Sequence, residues 1–152
     1  MNEQRHAALE NEHEEIHVQL EQAIRTGGEV GAAATVVAEL LHAHFVGEER
    51  YALPPLALLP RLAAGEIEAE MTGVMALAQT LKAELPQMLA EHRAIVAALG
   101  KLRSAARRAQ NEAALSFADK LEAHAQNEEE ILYPAAILVG EYLKLKLGVR
   151  VA

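Results

Sequence analysis

The stretch His124–Pro134, HAQNEEEILYP, contains the motif from which the organisation of this chain can be inferred. Its histidine is followed four residues later by Glu128, and residues at this spacing lie on the same face of an α-helix. Phe117 and Leu121 precede His124 on the same stripe, so both polar side chains are predicted to face a helical core. An unpartnered polar group would be costly there. For this stretch alone, a core histidine bonded to a glutamate is as good an explanation as a metal site.

The composition indicates one all-α domain spanning residues 1–152. Alanine, leucine and glutamate dominate, aromatic residues make up only 3%, and this usage is typical of helices. The absence of cysteine excludes disulfides, thiolate metal sites and iron–sulfur clusters. A net charge of −8 without a basic stripe argues against nucleic acid and membrane surfaces as partners. No signal peptide is recognisable and no apolar run approaches the length of a membrane span, so a cytoplasmic protein is expected.

Apolar residues at helical spacing predict four principal helices. These are expected at residues 2–25, 32–52, 86–107 and 111–132. Pro54 is expected to end the second helix and Pro134 to end the fourth. Between them, Pro86 either begins the third helix or kinks a longer one, and residues 55–85 are the least regular part. Residues 135–147 are predicted to form a short fifth helix that packs on the end of the bundle.

The two halves of the chain repeat one pattern of polar residues. Glu-His-x-x-Ile occurs at 12–16 and at 91–95, and His-x-x-x-Glu-Glu occurs at 44–49 and at 124–129. Each half is then a helix with an inward histidine, a connection, and a helix with an inward His-x-x-x-Glu. Two such hairpins predict an antiparallel up-down four-helix bundle with a pseudo-twofold half-repeat. One layer of its core would contain His13, His44, Glu48, His92, His124 and Glu128.

Desolvation favours a metal centre in that layer. Four imidazoles and two carboxylates in an apolar core are unfavourable unless their charges are compensated. Two divalent metal ions would compensate them, with bridging carboxylates and capping imidazoles. Nitrogen and oxygen ligands without sulfur suit iron or manganese, and also zinc.

Several neighbouring residues leave alternatives open. His17 follows His13 by one helical turn, so it is predicted as a seventh ligand, and the alternative is a histidine packed just above or below the site. Glu49 and Glu129 are either alternative bridges or acceptors for the N–H of a ligand histidine. Two other histidines, His6 and His42, are predicted to be solvated, and Tyr51 and Tyr133 to pack at helix ends. Of the two tyrosines, Tyr133 is close enough to reach the surroundings of the site.

These motifs together resemble the hemerythrin family in its wider bacterial HHE cation-binding form. The resemblance runs from about residue 6 to residue 134 and is carried by EHEEIH, HFVGEE, EHRAI and HAQNEEEILYP. It implies an antiparallel four-helix bundle around two non-haem iron ions (Fe2+/Fe3+), with four ligand histidines and Glu48 and Glu128 as bridges. The chain departs from the oxygen carriers of the family, because Val96 replaces their second histidine on the third helix. The last carboxylate also differs, being Glu128 at four residues instead of an aspartate at five.

The resemblance implies binding of O2, or of NO or peroxide, for storage, delivery or sensing. A first alternative is a di-iron redox enzyme that decomposes peroxide or repairs iron centres. A second is a ferritin-like carboxylate protein, whose Glu-x-x-His spacing occurs here at 10–13, 14–17 and 39–42. A third is a metal-free bundle that uses its histidines structurally.

Overall fold

The computed structural model describes residues 7–148, and the regular structure in this range is entirely helical. The α-helices are α1 (Ala7–Arg25), α2 (Gly28–Gly47), α3 (Leu53–Ala57), α4 (Leu59–Ala63), α5 (Thr72–Arg108), α6 (Glu112–Asn127) and α7 (Tyr133–Leu147). Two π-helical turns, Glu48–Ala52 and Glu128–Leu132, follow α2 and α6, and a 3-10 turn, Ala69–Met71, precedes α5. The predicted all-α class is therefore confirmed.

Four long helices surround the main core. Helix α1 packs on α2 and α6, and α5 packs on α2 and α6, so the four form a closed bundle. The core between them is apolar and includes Leu20, Val37, Leu41, Leu99 and Phe117. Because the apolar residues recur with the period of the α-helix, each helix has one apolar face to bury, and burial of these faces accounts for the bundle.

The link between α1 and α2 is shorter than the sequence indicates. Gly27 and Gly28 have φ angles of 72° and 59°, which reverse the chain within two residues and allow α2 to begin at Gly28. The predicted start at residue 32 is therefore wrong, because Gly31 lies inside the helix. A Cβ atom on Gly31 would lie 2.7 Å from the carbonyl oxygen of Ile24, so a glycine allows the two helices to approach here.

A single helix of 37 residues, α5, replaces the separate segments expected around Pro86. Of the two predicted outcomes, a new helix at Pro86 is wrong and a longer helix through it is confirmed. Pro86 is exposed, so water can satisfy the carbonyl group that its missing N–H leaves free. The buried Leu81 and Met88 anchor the helix on both sides of the proline.

Pro54 and Pro134 do not end their helices, contrary to the sequence expectation. Each follows a π-helical turn, where Leu53 N–H bonds to the Glu48 carbonyl and Tyr133 N–H to the Glu128 carbonyl, five residues back. Proline cannot donate the next backbone bond, and its ring crowds the carbonyl four residues earlier, so a wider turn accommodates it. A π-helical turn contains one residue more than an α-helical turn, so the positions that face the core shift by one residue after it. After Glu128 the next inward residue is consequently Tyr133, which is 1% exposed.

Helix α7 confirms the predicted C-terminal helix but continues directly from the second π-helical turn. It lies along the first part of α5 rather than across the bundle end. Gly140 makes the approach close, because a Cβ atom there would lie 2.5 Å from Ala78 Cβ. Val139 and Leu143 pack beside it on Met71 and Met75 in a smaller core.

One helical run among the described residues, 28–63, is long and apolar enough by length and composition to cross a membrane. Its most apolar window has a mean hydropathy of 1.4. Glu29, Glu39 and Glu48 divide it into shorter uncharged runs, as the sequence indicates. It also contributes Val37 and Leu41 to the main core, and a buried core helix has this composition without a membrane.

Candidate metal centre

Six polar side chains are buried in one region of the bundle, and each is no more than 6% exposed. They are the six that the half-repeat places in one layer: His13, His44, Glu48, His92, His124 and Glu128. They come from α1, α2, α5, α6 and the first residue of each π-helical turn. The amphipathic stripes of these helices therefore bring together groups that are far apart in sequence.

The six side chains form two overlapping groups with the spacing of metal ligands. His13 and His124 form one group with Glu48 and Glu128, and we call it the α1–α6 group. His44 and His92 form the other with the same two glutamates, and we call it the α2–α5 group. Within each group the candidate ligand atoms lie within 4.8 Å of one another. Because both glutamates belong to both groups, their carboxylates are placed to bridge two ions.

The α2–α5 group is the tighter of the two. His44 Nε2 lies 2.9 Å from His92 Nε2 and 2.8 Å from Glu48 Oε1. His92 Nε2 lies 3.4 Å from Glu128 Oε1. The hydroxyl of Tyr133 is 3.1 Å from both Nε2 atoms and donates a hydrogen bond to Glu48 Oε1. Five elements, namely α2, α5, α7 and the two π-helical turns, thus direct nitrogen and oxygen atoms at one point.

The α1–α6 group contains polar atoms that protein groups do not satisfy. His13 Nε2 lies 3.1 Å from Glu48 Oε2, and His124 Nε2 lies 3.3 Å from Glu128 Oε1. Neither contact has hydrogen-bond geometry, so Glu48 Oε2 and His124 Nε2 are buried without a partner among residues 7–148. The His13 ring stacks on Phe45 with 4.0 Å between ring centroids. Such unsatisfied buried atoms are costly, and a cation between them would remove the cost.

Three of the four histidines are oriented by glutamates from other helices, which we call the outer glutamates. His44 Nδ1 lies 2.9 Å from Glu91, His92 Nδ1 2.9 Å from Glu129, and His124 Nδ1 2.6 Å from Glu12. A carboxylate at Nδ1 holds the proton on that nitrogen and leaves the Nε2 lone pair facing the centre. This is the arrangement of metal-binding histidines. His13 differs, because its Nδ1 is buried and none of the described residues bonds to it.

The electrostatics of the layer follow from burial and close pairing. Burial alone lowers the pKa of His44 and His124, but hydrogen bonds and charges of nearby glutamates raise each pKa to about 9. Burial raises the pKa of Glu48, yet the neighbouring Glu128, His13 and His44 bring it well below the ordinary value. Burial and the adjacent Glu48 raise the pKa of Glu128. Burial and the same two carboxylates raise the pKa of Tyr133.

The structure does not bring every predicted residue into the centre. His17 is exposed and belongs to neither group, and its ring lies edge-on to Phe45 at 5.8 Å between centroids. Both neighbouring glutamates are exposed. Glu129 bonds to His92 as one alternative predicted, whereas Glu49 has no hydrogen bond to a histidine among the described residues. His42 is exposed, as expected, and His6 lies outside the described residues. The ferritin-like alternative is not assembled, since its glutamates at 10, 14 and 39 are exposed.

Two features of the centre were not predicted from the sequence, namely the glutamate contacts between hairpins and the inward position of Tyr133. Glu12 and Glu91 directly precede inward histidines, but their contacts run to the other hairpin and require the fold to be known. Tyr133 was expected at a helix end, and strict α-helical spacing places Leu132, not Tyr133, inward of Glu128. The proline at 134 was the available signal, because a proline inside a continuing helix can force the π-helical turn that shifts the register.

Comparison with known proteins supports cation binding. The family model of the hemerythrin HHE cation binding domain matches residues 83–144, a segment that contains His92, His124 and Glu128. No curated protein and no solved structure matches the chain significantly. The matched segment supplies half of the buried polar layer, including one of the two shared glutamates. The predicted resemblance to the hemerythrin family, through its HHE cation binding domain, is thus confirmed over residues 83–144.

Proposed function

We propose that this protein is a hemerythrin-like di-iron protein that binds O2, or NO or peroxide, for storage, delivery or sensing. The membership of Glu48 and Glu128 in both buried groups carries this proposal. Two carboxylates shared by two sets of histidines are arranged to hold a pair of ions with the glutamates as bridges. The match of residues 83–144 to a cation-binding family supports it.

The residues present fit a pair of iron ions. The donor set combines imidazole nitrogen with carboxylate oxygen and lacks sulfur, which suits iron and manganese. Buried Glu48 Oε2 and His124 Nε2 lack protein partners, so two of the atoms that would bind the metal are free to do so. The outer glutamates direct this His124 Nε2 and two further Nε2 atoms, those of His44 and His92, inward. An apolar core alone would not require this set of aligned lone pairs.

Each part of the chain has a distinct task in this proposal. Bound iron would supply reversible one-electron chemistry and a coordination position for a small ligand. Glu48 and Glu128 hold the two sites together, while pairs of histidines close each side. The main core next to the centre is apolar and excludes water. Phe45 contacts the rings of His13 and His44 there, and Leu41 and Ile95 belong to the same core. A dry pocket favours a small uncharged ligand and limits hydrolysis of its complex.

We further propose that the chain forms one domain built from two related hairpins in an antiparallel arrangement. His44, Glu48 and the π-helical turn that begins at Glu48 each recur 80 residues later, at His124, Glu128 and the turn that begins there. The outer contacts follow the same relation, because Glu91 bonds to His44 and Glu12 bonds to His124. This recurrence supports a pseudo-twofold axis between the two groups.

A di-iron redox enzyme that decomposes peroxide is the second candidate. The Tyr133 hydroxyl favours it, because this buried group can hold a proton inside the α2–α5 group. Peroxide chemistry requires protons at the oxygen atoms that separate.

Anaerobic iron loading tests the proposed function. The protein, purified under nitrogen, is loaded with ferrous iron, its iron is counted, and its visible spectrum is recorded before and after O2 is admitted and removed. Two irons per chain and a colour change that reverses when O2 is removed are expected for a carrier or sensor. Rapid irreversible oxidation with peroxide consumption would favour the enzyme instead.

Two variants show whether the iron ions that are counted bind at this centre. Glu48→Gln retains the side-chain volume but removes a charge shared by both groups, so it should lower the iron content. Glu49→Gln changes the adjacent exposed residue and should leave the content at the wild-type value. Failure of the wild-type protein to bind iron, with unchanged thermal stability in its presence, would overturn the di-iron proposal.

A further inference from the structure

Tyr133 places a phenol oxygen in the middle of the α2–α5 group. Its side chain is 1% exposed, and its hydroxyl is 3.1 Å from His44 Nε2 and 3.1 Å from His92 Nε2. Its ring lies nearly parallel to the His92 ring, with 5.5 Å between centroids and an interplanar angle of 25°. The π-helical turn at Glu128 directs this side chain inward, so the position is built by the backbone.

The hydrogen bonds of Tyr133, His44 and His92 leave lone pairs of all three side chains facing one another. The hydroxyl donates its one proton to Glu48 Oε1, so its remaining lone pairs face the two Nε2 atoms. Both imidazoles have a glutamate at Nδ1, at 2.9 Å in each case, which favours the proton on that nitrogen. The phenol oxygen, His44 Nε2 and His92 Nε2 then offer electron pairs to the same space. Such an arrangement is repulsive unless a proton or a metal ion lies between the atoms.

The separations match those of donors around one metal ion. Atoms that bind a metal at about 2.1 Å are roughly 3.0 Å apart at octahedral angles and about 3.4 Å apart at tetrahedral angles. The contacts of the Tyr133 oxygen with both Nε2 atoms, at 3.1 Å, fall in this range. The contact between the two Nε2 atoms, at 2.9 Å, is close to it.

We infer that Tyr133 is itself a metal ligand, which binds as a phenolate on the His44–His92 side of the centre. This inference rests on the proposed di-iron function and assigns one more ligand to it. On binding, the O–H bond breaks, the oxygen keeps the electron pair that it shares with the metal, and the proton is released to the solvent. No electron is transferred in this step.

Among the described residues, 7–148, the other side of the centre has no equivalent ligand. The residue 80 positions before Tyr133 is Leu53, which is buried in the apolar cluster next to the centre and has no donor atom. The α1–α6 group instead has Phe45 stacked on His13. The two metal positions are therefore chemically different, and the phenolate stabilises the ferric state on one side only. Oxidation should begin at the His44–His92 position.

Absorption spectroscopy tests the inference directly. Ferric wild-type protein should show the visible charge-transfer band of an iron(III)–phenolate, and Tyr133→Phe should lose it. Tyr51→Phe is the matched control, because the Tyr51 hydroxyl donates to Met88 Sδ at 3.7 Å and contacts neither group. Far-ultraviolet circular dichroism of the metal-free variants verifies that the bundle is formed in each.

Zinc provides a second readout that needs no variant and no redox chemistry. The chain has three tyrosines, and titration of the wild-type protein with Zn²⁺ near neutral pH should generate the ultraviolet difference spectrum of one tyrosinate. Two bound metals without a tyrosinate signal, or a visible band that persists in Tyr133→Phe, would overturn the inference and leave the di-iron function intact. A protein that binds no metal would overturn both.

Discussion

His44 and His92 approach each other at 2.9 Å between their Nε2 atoms, while the Nδ1 atoms of both rings contact glutamates. In the metal-free protein a proton between the two Nε2 atoms relieves this contact, since two lone pairs would otherwise face each other. A metal ion requires the same lone pairs, because it binds the neutral imidazole. Protons and metal ions therefore compete for this layer.

Metal loading should release protons at neutral pH. The pKa values of His44 and His124 are raised to about 9 from 6.5, so both rings are charged near neutrality in the metal-free protein. We expect Zn²⁺ affinity to increase as the pH rises toward 9, because fewer protons must then be displaced. Calorimetry in buffers of different ionisation enthalpy measures the protons released. Equal binding enthalpies in all buffers would contradict the expected charge state.

The same pKa shifts fix the sign of the pH effect on the metal-free protein. Folding raises both pKa values, so it favours the charged rings. Their contribution to the free energy of unfolding is fully present below pH 6.5 and is lost as the pH rises through about 9. Urea unfolding of metal-free protein across this range should show falling stability. His124→Gln, which removes one of the two groups, should flatten the pH dependence.

Removing an outer glutamate should weaken metal binding without removing a ligand. Glu129→Gln replaces the carboxylate at His92 Nδ1 by a neutral amide, which lowers ligand basicity and allows the ring to reorient. Loss of such a partner typically lowers metal affinity by about 10–100-fold. Competition with a coloured chelator measures the affinity for Zn²⁺. Glu49→Gln is the control, and an equal loss in both variants would indicate a general charge effect.

The two histidines on α1 should respond differently to substitution. His13 is buried and contacts Glu48, whereas His17 is exposed one turn later. A ligand at about 100 times its Kd stabilises the folded state by about 2.7 kcal/mol. We expect His13→Gln to lose most of the thermal stabilisation by Zn²⁺ and His17→Gln to retain it. Loss of stabilisation in His17→Gln would indicate that His17 is a metal ligand, as the sequence predicted.

The sequence predicted the buried layer better than the course of its helices. Residues four apart share a helix face whatever the tertiary fold, so the repeated His-x-x-x-Glu placed His44, Glu48, His124 and Glu128 together. The prolines were misleading, because local preference for a helix end was overridden by packing on both sides. Leu53 and Tyr133 are buried directly before Pro54 and Pro134, and this burial holds the chain helical through the π-helical turns.

Contacts between hairpins could not be predicted from spacing. Glu12 and Glu91 are solvent-facing by helical periodicity, and only the packing of α1 on α6 and of α2 on α5 brings them to His124 and His44. The role of Tyr133 depends on one extra residue in a turn. A shift of one residue rotates a helical side chain by about 100°, which separates a packing residue from a group in the site.

Gly140 should be essential for the packing of α7 on α5. A Cβ atom there would lie 2.5 Å from Ala78 Cβ, and neither helix can move aside without disturbing Val139 and Leu143 in the smaller core. Overpacking of this kind typically costs about 1–3 kcal/mol. We expect Gly140→Ala to lower the free energy of unfolding by this amount, measured by urea denaturation of metal-free protein.

Gly100→Ala provides the opposite result in the same experiment. Gly100 lies inside α5 on an exposed face, where an added Cβ meets no atom within 4 Å. Alanine is the better helix former by about 1 kcal/mol, so this substitution should stabilise the protein. Because both changes add one methyl group to a helical glycine, the sign of the difference isolates the contact with Ala78. Stabilisation by Gly140→Ala as well would show that α7 does not lie this close to α5 in solution.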